Sequence, residues 1–466
     1  MELDSTWLVY ATGGVILLLI FCQMPTRSFD PFAPIWVFLV GYAQIYVIQA
    51  LSYREWGLEA RGEDTVALAD LRAFWALLWF LAVYHCGLGR VLARGLPAPP
   101  TRWSPIPVWV MTPFMIALGL LAAGWGAALG EMSYEENLLR SFPLMMQVAG
   151  VILIVTGRNA QHPRPVTAWA GVGVVVIYTL IWIFNGKRSP ALIAVLTGVA
   201  AYYVPRFRRP SKPVLLATAF LGALVVALAI GWRGNKNYEQ SISGFVEYLS
   251  EFRVSSILVS LNMKDREEVE QDPDARVSYE TEEWGGYLLM LATVPMDADY
   301  DYGTPYIRIL TTYITRNLWP DKPVFGRDKW IAAWIAGSEF PRDESFTGPA
   351  IGILGALQLN GGAVGTVIVL GVIALLIRTS YDYFRLHERL PWAQAWWCLT
   401  FVNAWLMTVN DDPFVWFYYI YGFTTLPPLL GLWIYNRYVG SAPGFEPRSH
   451  WMRESGGVGV RAGGLS

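Results

Sequence analysis

Residues Val166–Val204 read VTAWAGVGVVVIYTLIWIF, then NGKRSP, then ALIAVLTGVAAYYV. Neither apolar run carries a charge, and both charges of the stretch fall in the polar turn between them. A helix rises about 1.5 Å per residue and satisfies its own backbone polar groups, so runs of this length suit hydrocarbon roughly 30 Å thick. The turn has helix-ending and helix-starting grammar. Gly186 can close the first helix at positive φ, Ser189 can cap the second with its hydroxyl, and Pro190 fits a first helical position, where no N–H is needed. The stretch therefore predicts a helical hairpin.

The rest of the chain repeats the pattern. Hydrophobic residues make up 54% and charged residues 15%, too apolar a balance for a soluble domain. Apolar segments recur at Ser5–Gln23, Pro31–Leu51, Ala67–Leu88, Pro107–Leu129, Ser141–Thr156, Pro213–Trp232, Gly362–Ile377, Trp392–Thr408 and Phe414–Tyr435. With the two around the hairpin they predict an all-α, polytopic membrane protein of about eleven transmembrane helices with one large extracytoplasmic loop. The divisions are 1–232 for about eight helices, 233–345 for the loop, 346–440 for the remaining helices and 441–466 for a Gly/Ser/Arg-rich disordered tail.

Basic residues mark alternate turns. Arg90, Arg94 and Arg102, then Arg158 and Arg164, then Arg206, Arg208, Arg209 and Lys212, then Arg378, Arg385 and Arg389 follow every second span and predict cytoplasmic connections. The intervening turns are acidic or short. Residues 233–345 hold 12 Lys/Arg against 20 Asp/Glu, as befits an external segment, and are too long for a plain linker. The N-terminus is then outside and the tail inside. No cleaved signal peptide is expected, since no basic n-region precedes the first span. Cys22, Cys86 and Cys398 lie in apolar spans and imply neither disulfide nor zinc site.

Lys187 and Arg188 stand on the face where positive charge should be scarce. Two readings fit. Beside the free N–H groups of a helix start they suit a phosphate or diphosphate. Alternatively they snorkel to lipid headgroups. Gly348-Pro349 and Asp412-Pro413 are further helix starts on the same face, and Asp411 joins the candidate ligands. The apolar stretch Phe346–Leu359 ends in Asn360-Gly361-Gly362, which predicts a broken or re-entrant helix beside a cleft. In the loop, Arg308 and Arg316 are eight residues apart, about two helical turns, so one helix face can present both. Trp319 could stack on a sugar, although an interfacial aromatic belt explains such residues equally well, and Lys322 adds another cation. Asp343 and Glu344 are the first carboxylates to consider as a general base, against the reading that Arg342-Asp343-Glu344 is a solvated turn.

Gly186-Lys187-Arg188 after a mid-chain span, Arg316-Asn317-Leu318-Trp319-Pro320-Asp321-Lys322-Pro323 in the loop, and Thr347-Gly348-Pro349 running to Asn360-Gly361-Gly362-Ala363-Val364-Gly365 resemble the bacterial O-antigen polymerases. These oligosaccharide repeat-unit polymerases share a superfamily with the O-antigen ligases. Two features depart from it: there is no arginine-ten-residues-glycine repeat, and the loop has no histidine of the kind ligases use. The resemblance implies a glycosyltransferase polymerising polyprenyl-diphosphate-linked oligosaccharide units into O-antigen or exopolysaccharide at the outer face of the bacterial cytoplasmic membrane, with the active site toward the periplasm or exterior. Its implied catalytic residues are Arg188, Arg316, Asp343 and Glu344, with Lys187, Ser189, Arg308, Trp319, Lys322 and Asp411 binding diphosphate or glycan. No metal and no cofactor is expected. The implied partners are the lipid-linked substrates, the bilayer, and a chain-length regulator and flippase of the same pathway, with no nucleic acid. A ligase-type transferase and a transporter or flippase of lipid-linked sugars are the alternatives. A transporter would bind near mid-membrane between repeats, and the chain shows no repeat and no clear cluster of midplane charges apart from Asp70 and Arg72 near the outer end of the third span.

Overall fold

The computed structural model describes residues 5–24, 26, 29–128, 142–159, 162–234, 241–252, 283–311, 314, 318–322, 350–409 and 420–439. Among them the regular structure is helical, with no strand. In chain order, α1 is Thr6–Gln23, α2 Pro34–Ser52, α3 Arg54–Arg61, α4 Glu63–His85, α5 Leu88–Gly95, α6 Pro105–Ala128, α7 Leu144–Arg158, α8 Pro165–Phe184, α9 Arg188–Tyr203 and α10 Lys212–Gly234. Then come α11 Ile242–Glu251, α12 Glu283–Thr293, α13 Thr304–Thr311, α14 Gly352–Leu386, α15 Pro391–Thr400, α16 Asn403–Val409 and α17 Leu426–Ile434. Seven of these, α1, α2, α4, α6, α8, α10 and α14, contain runs long and apolar enough to cross a membrane. Each of the eleven apolar segments marked in the sequence contains helix.

Two packing groups organise the bundle. In one, α1, α2, α4, α12 and α14 share a core in which Phe38 and Phe80 stack with centroids 3.6 Å apart and planes 3° from parallel. In the other, α7 is buried from Met146 to Gly157 and is surrounded by α6, α8, α9 and α15. A helix apolar on all sides belongs at the centre of its group. The basic turns gather at one end: Arg206 donates to the Arg158 carbonyl at 3.0 Å, Ser104 N to Asn436 at 2.6 Å, Tyr383 to the Pro97 carbonyl at 2.8 Å and Arg437 to the Ala98 carbonyl at 3.2 Å. We call this the arginine-rich end. The opposite one, where Ser5, Arg54 and Glu63 lie, is the acidic end.

The hairpin forms with a shifted start. Asn185 closes α8, Gly186 sits at φ +64°, and the Gly186 and Lys187 N–H groups donate back to Ile183 and Trp182 at 2.9 Å each. This is the paired 5→2 and 6→1 closure of a Schellman turn. The expected cap is corrected: α9 starts at Arg188, with Lys187 extended before it and no side-chain cap bond, so Ser189 lies inside the first turn and Pro190 is its third residue. The reason is that once the Schellman turn has closed α8, helical geometry can resume at Arg188, and a first-turn proline still gives up no intrahelical bond.

Within the predicted loop, α12 is buried almost throughout, packed between α4 and α14. Its sequence EWGGYLLMLAT is apolar but too short to read as a span. A second loop element, α11, turns Phe245 and Tyr248 onto Phe184 and Trp232 beside the hairpin.

Candidate functional site at the break in α14

Helix α14 is interrupted where the sequence predicts. Gly361 and Gly362 leave helical geometry, and Gly362 takes φ +61° and ψ −138°, a conformation that side chains strongly disfavour. A Cβ there would also come within 2.8 Å of the Tyr300 hydroxyl. Of the two forms expected, the helix is broken and not re-entrant. Gln358 contacts Arg72, Val367 accepts from Trp79 at 2.8 Å, and Arg378 lies over Tyr84 at 5.1 Å, so both arms follow α4 in the same direction.

The arm before the break is fastened from three sides. The Tyr46 hydroxyl accepts from Leu354 N at 2.9 Å. Gln49 donates to Glu283 at 2.7 Å and accepts from Trp284 N at 3.1 Å, tying α12 to α2. Both α2 side chains come from a π-helical turn, Gln44–Gln49, whose wider winding turns them toward this arm. Gln358, 3% exposed, donates to the Val294 carbonyl at 2.7 Å and accepts from Arg72.

Two arginines stand here in different states. Arg54 and Asp70 form an ion pair at 2.8 Å, with Ser5 bonded to both at 2.7 and 2.8 Å and Asp70 3% exposed. Such a pair offsets its own desolvation and is structural. Arg72 is half-buried and, among the described residues, has no carboxylate at ion-pair distance; Gln358 is neutral. A guanidinium in this setting, two and a half turns into an apolar helix, makes Arg72 a candidate functional position. At the break itself the Asn360 amide donates to Ala356 at 2.9 Å, while its buried oxygen has no donor among the described residues. The arm before the break thus carries an arginine-bound amide at Gln358 and a buried, unsatisfied amide oxygen at Asn360.

The predicted residues distribute as follows. Lys187 and Arg188 are exposed at the tip of the α8–α9 hairpin and Ser189 is half-buried; Arg188 has no ion pair among the described residues. The hairpin and Arg72 share the acidic end but rest on different hydrophobic clusters. Arg308 is on α13, whose start is joined to the break: Asp301 N donates to the Leu359 carbonyl at 2.8 Å and Thr304 N to the Asp301 carbonyl at 3.0 Å. Trp319 is exposed, and Lys322 closes its own turn by donating to the Ile314 carbonyl at 3.0 Å. Arg316, Asp343, Glu344 and Asp411, as well as the Arg308 side chain, lie outside the described residues. Arg72, Gln358 and Glu283 were not among the residues selected from sequence, although a lone arginine in the first third of a span was a usable signal.

Among the described residues no three His, Cys, Asp or Glu side chains gather as a metal site. No protein-family profile, curated protein or solved structure matches this chain.

Proposed function

We propose that this membrane protein is a glycosyltransferase that polymerises polyprenyl-diphosphate-linked oligosaccharide repeat units into O-antigen or exopolysaccharide, working at the outer face of the bacterial cytoplasmic membrane. The observation carrying the reading is the broken helix held by Arg72, which has no counter-ion among the described residues: a fixed, partly desolvated cation beside a helix break is what a diphosphate leaving group requires. The acidic end is then external and the arginine-rich end cytoplasmic, in keeping with the positive-inside rule, and about eleven helices span the bilayer.

In this reaction a sugar hydroxyl of one lipid-linked unit attacks the anomeric carbon of the growing chain. The anomeric carbon–oxygen bond to the carrier breaks, and polyprenyl diphosphate departs with the bonding pair. The hydroxyl proton passes to a carboxylate, for which Asp343 and Glu344 are the candidates. Arg72 and the hairpin pair Lys187 and Arg188, with Arg308 and Arg316, supply positive charge toward the departing oxygens; a single preorganised donor is worth about 3 kcal/mol in such a role. Bidentate guanidinium groups suit phosphate oxygens better than ammonium does. The Asn360 oxygen can accept a sugar hydroxyl.

The test is polymer synthesis by purified protein given a lipid-linked repeat unit, read as chain length on a gel. Arg188→Ala should abolish growth without impairing membrane insertion. Undiminished long chains in that variant would remove Arg188 from the site. A ligase would leave polymer on the carrier when disabled, and a flippase would leave units on the inner leaflet, where labelling from the cytoplasmic side detects them.

A further inference from the structure

A crevice of about 480 Å³ opens between α14, α15, α16 and α17, with Leu96 and Pro97 at its mouth, at the arginine-rich end and away from the break in α14. We propose that it holds one anionic glycerophospholipid, with an acyl chain in the crevice and the phosphate beside Arg437. The volume lies in the range of small-molecule sites, and the wall is almost wholly apolar, as hydrocarbon requires. Trp392 and Trp396, stacked 5.9 Å apart with planes 4° from parallel, form part of the wall, and Met407 and Leu426 also line it.

Charge at the mouth selects the headgroup. Arg437 packs over Trp433, itself a wall residue, with its guanidinium carbon 4.8 Å from the ring centre. It also donates to the Ala98 carbonyl, next to Pro97, so its charge is fixed at the rim while remaining exposed. The exposed Arg94 and Arg389 come from the chain just outside the wall residues Leu96 and Trp392. Polarity farther in selects the class of chain. The Thr379 hydroxyl and the Trp397 indole N–H belong to wall residues and are buried without a hydrogen-bond partner among the described residues, Trp397 being 1% exposed. Ester carbonyls of a diacyl lipid accept such donors; an isoprenoid chain has no acceptor to offer.

The experiment is native mass spectrometry of the purified full chain, incubated with equal amounts of phosphatidylglycerol and phosphatidylethanolamine. Wild type should retain one phosphatidylglycerol in preference. Arg437→Glu, at an exposed position, should lower the retained ratio of the anionic to the zwitterionic lipid roughly tenfold, the loss of one charge-assisted contact. Leu430→Trp, which fills the crevice from an exposed position, should reduce retention of both lipids. Val110→Trp, on the lipid-exposed face of α6, should change neither and serves as the control for added bulk. An unchanged ratio in Arg437→Glu overturns the headgroup assignment, and Arg437→Gln repeats that test without reversing the charge. Wild-type retention in Leu430→Trp, or displacement of phosphatidylglycerol by an equal amount of polyprenyl phosphate, overturns the site as a diacyl-lipid crevice.

Discussion

At the arginine-rich end, Arg378 meets Asp382 at 2.8 Å, and Arg385 meets Glu388 at 2.8 Å and Asp30 at 4.0 Å. Asp30 also accepts from the Tyr381 hydroxyl at 2.9 Å. At the acidic end, Arg54 has Asp70, but among the described residues Arg72 has only an uncharged amide. The same residue type is spent on cohesion in one place and held in reserve in the other. Low-dielectric surroundings make an unmatched charge costly, so its retention beside a helix break points to something that arrives with the missing negative charge.

Substitutions on both sides test this contrast. The largest effect belongs to Asp70→Ala, which removes the buried carboxylate paired with the part-buried Arg54 and should lower stability by about 3–5 kcal/mol, read by thermal or chemical unfolding in detergent. Arg72→Ala should slow polymer synthesis by roughly 10²- to 10³-fold, measured as chain growth from a lipid-linked unit, while unfolding shifts by only about 1 kcal/mol for the lost hydrogen bond. Arg72→Lys keeps the charge without the planar fork and should recover only part of the rate. If Arg72→Ala instead unfolds as readily as Asp70→Ala, with the folded fraction fully active, both ends are merely cohesive and the contrast disappears. Gly362→Ala forces a side chain into a disfavoured conformation against Tyr300 and should lose about 1–3 kcal/mol in the same unfolding assay. Asp382→Asn removes one partly exposed pair within a helix, and a double-mutant cycle with Arg378→Ala should return about 1 kcal/mol or less.

How much of this was legible without coordinates follows from the range of each interaction. The span Val166–Phe184 was bounded within one residue of α8, because its apolar run stops at Gly186 and starts beside Pro165. The interruption at Asn360-Gly361-Gly362 was readable for a similar local reason: two adjacent glycines remove the side chains that stabilise a helix interior. The start of α9 was misplaced because the cap chemistry of Ser189 competed with the turn closing α8, and the turn prevailed. What could not be read is nonlocal. Arg72 and Gln358 are 286 positions apart, and Gln49 and Glu283 are 234 apart, so no spacing rule connects them. The segment α12 was absorbed into a loop because its apolar run is short and its neighbours are acidic, and only packing against α4 and α14 reveals it as core.

The wide turn at Gln44–Gln49 divides α2 into two parts that answer differently to changes in chain length. Before it, Phe38 is locked face to face with Phe80; after it, Gln49 holds α12. A π turn carries about one residue more than the α turn it replaces, so deleting one residue inside it would rewind it to ordinary pitch with the phase beyond nearly kept. A deletion in the α-helical part between Phe38 and the turn would instead rotate everything beyond by about 100° and carry Gln49 off Glu283. A deletion scan along α2 should therefore find its mildest effect within Gln44–Gln49, where the turn absorbs the missing residue, and a larger loss of stability just before it.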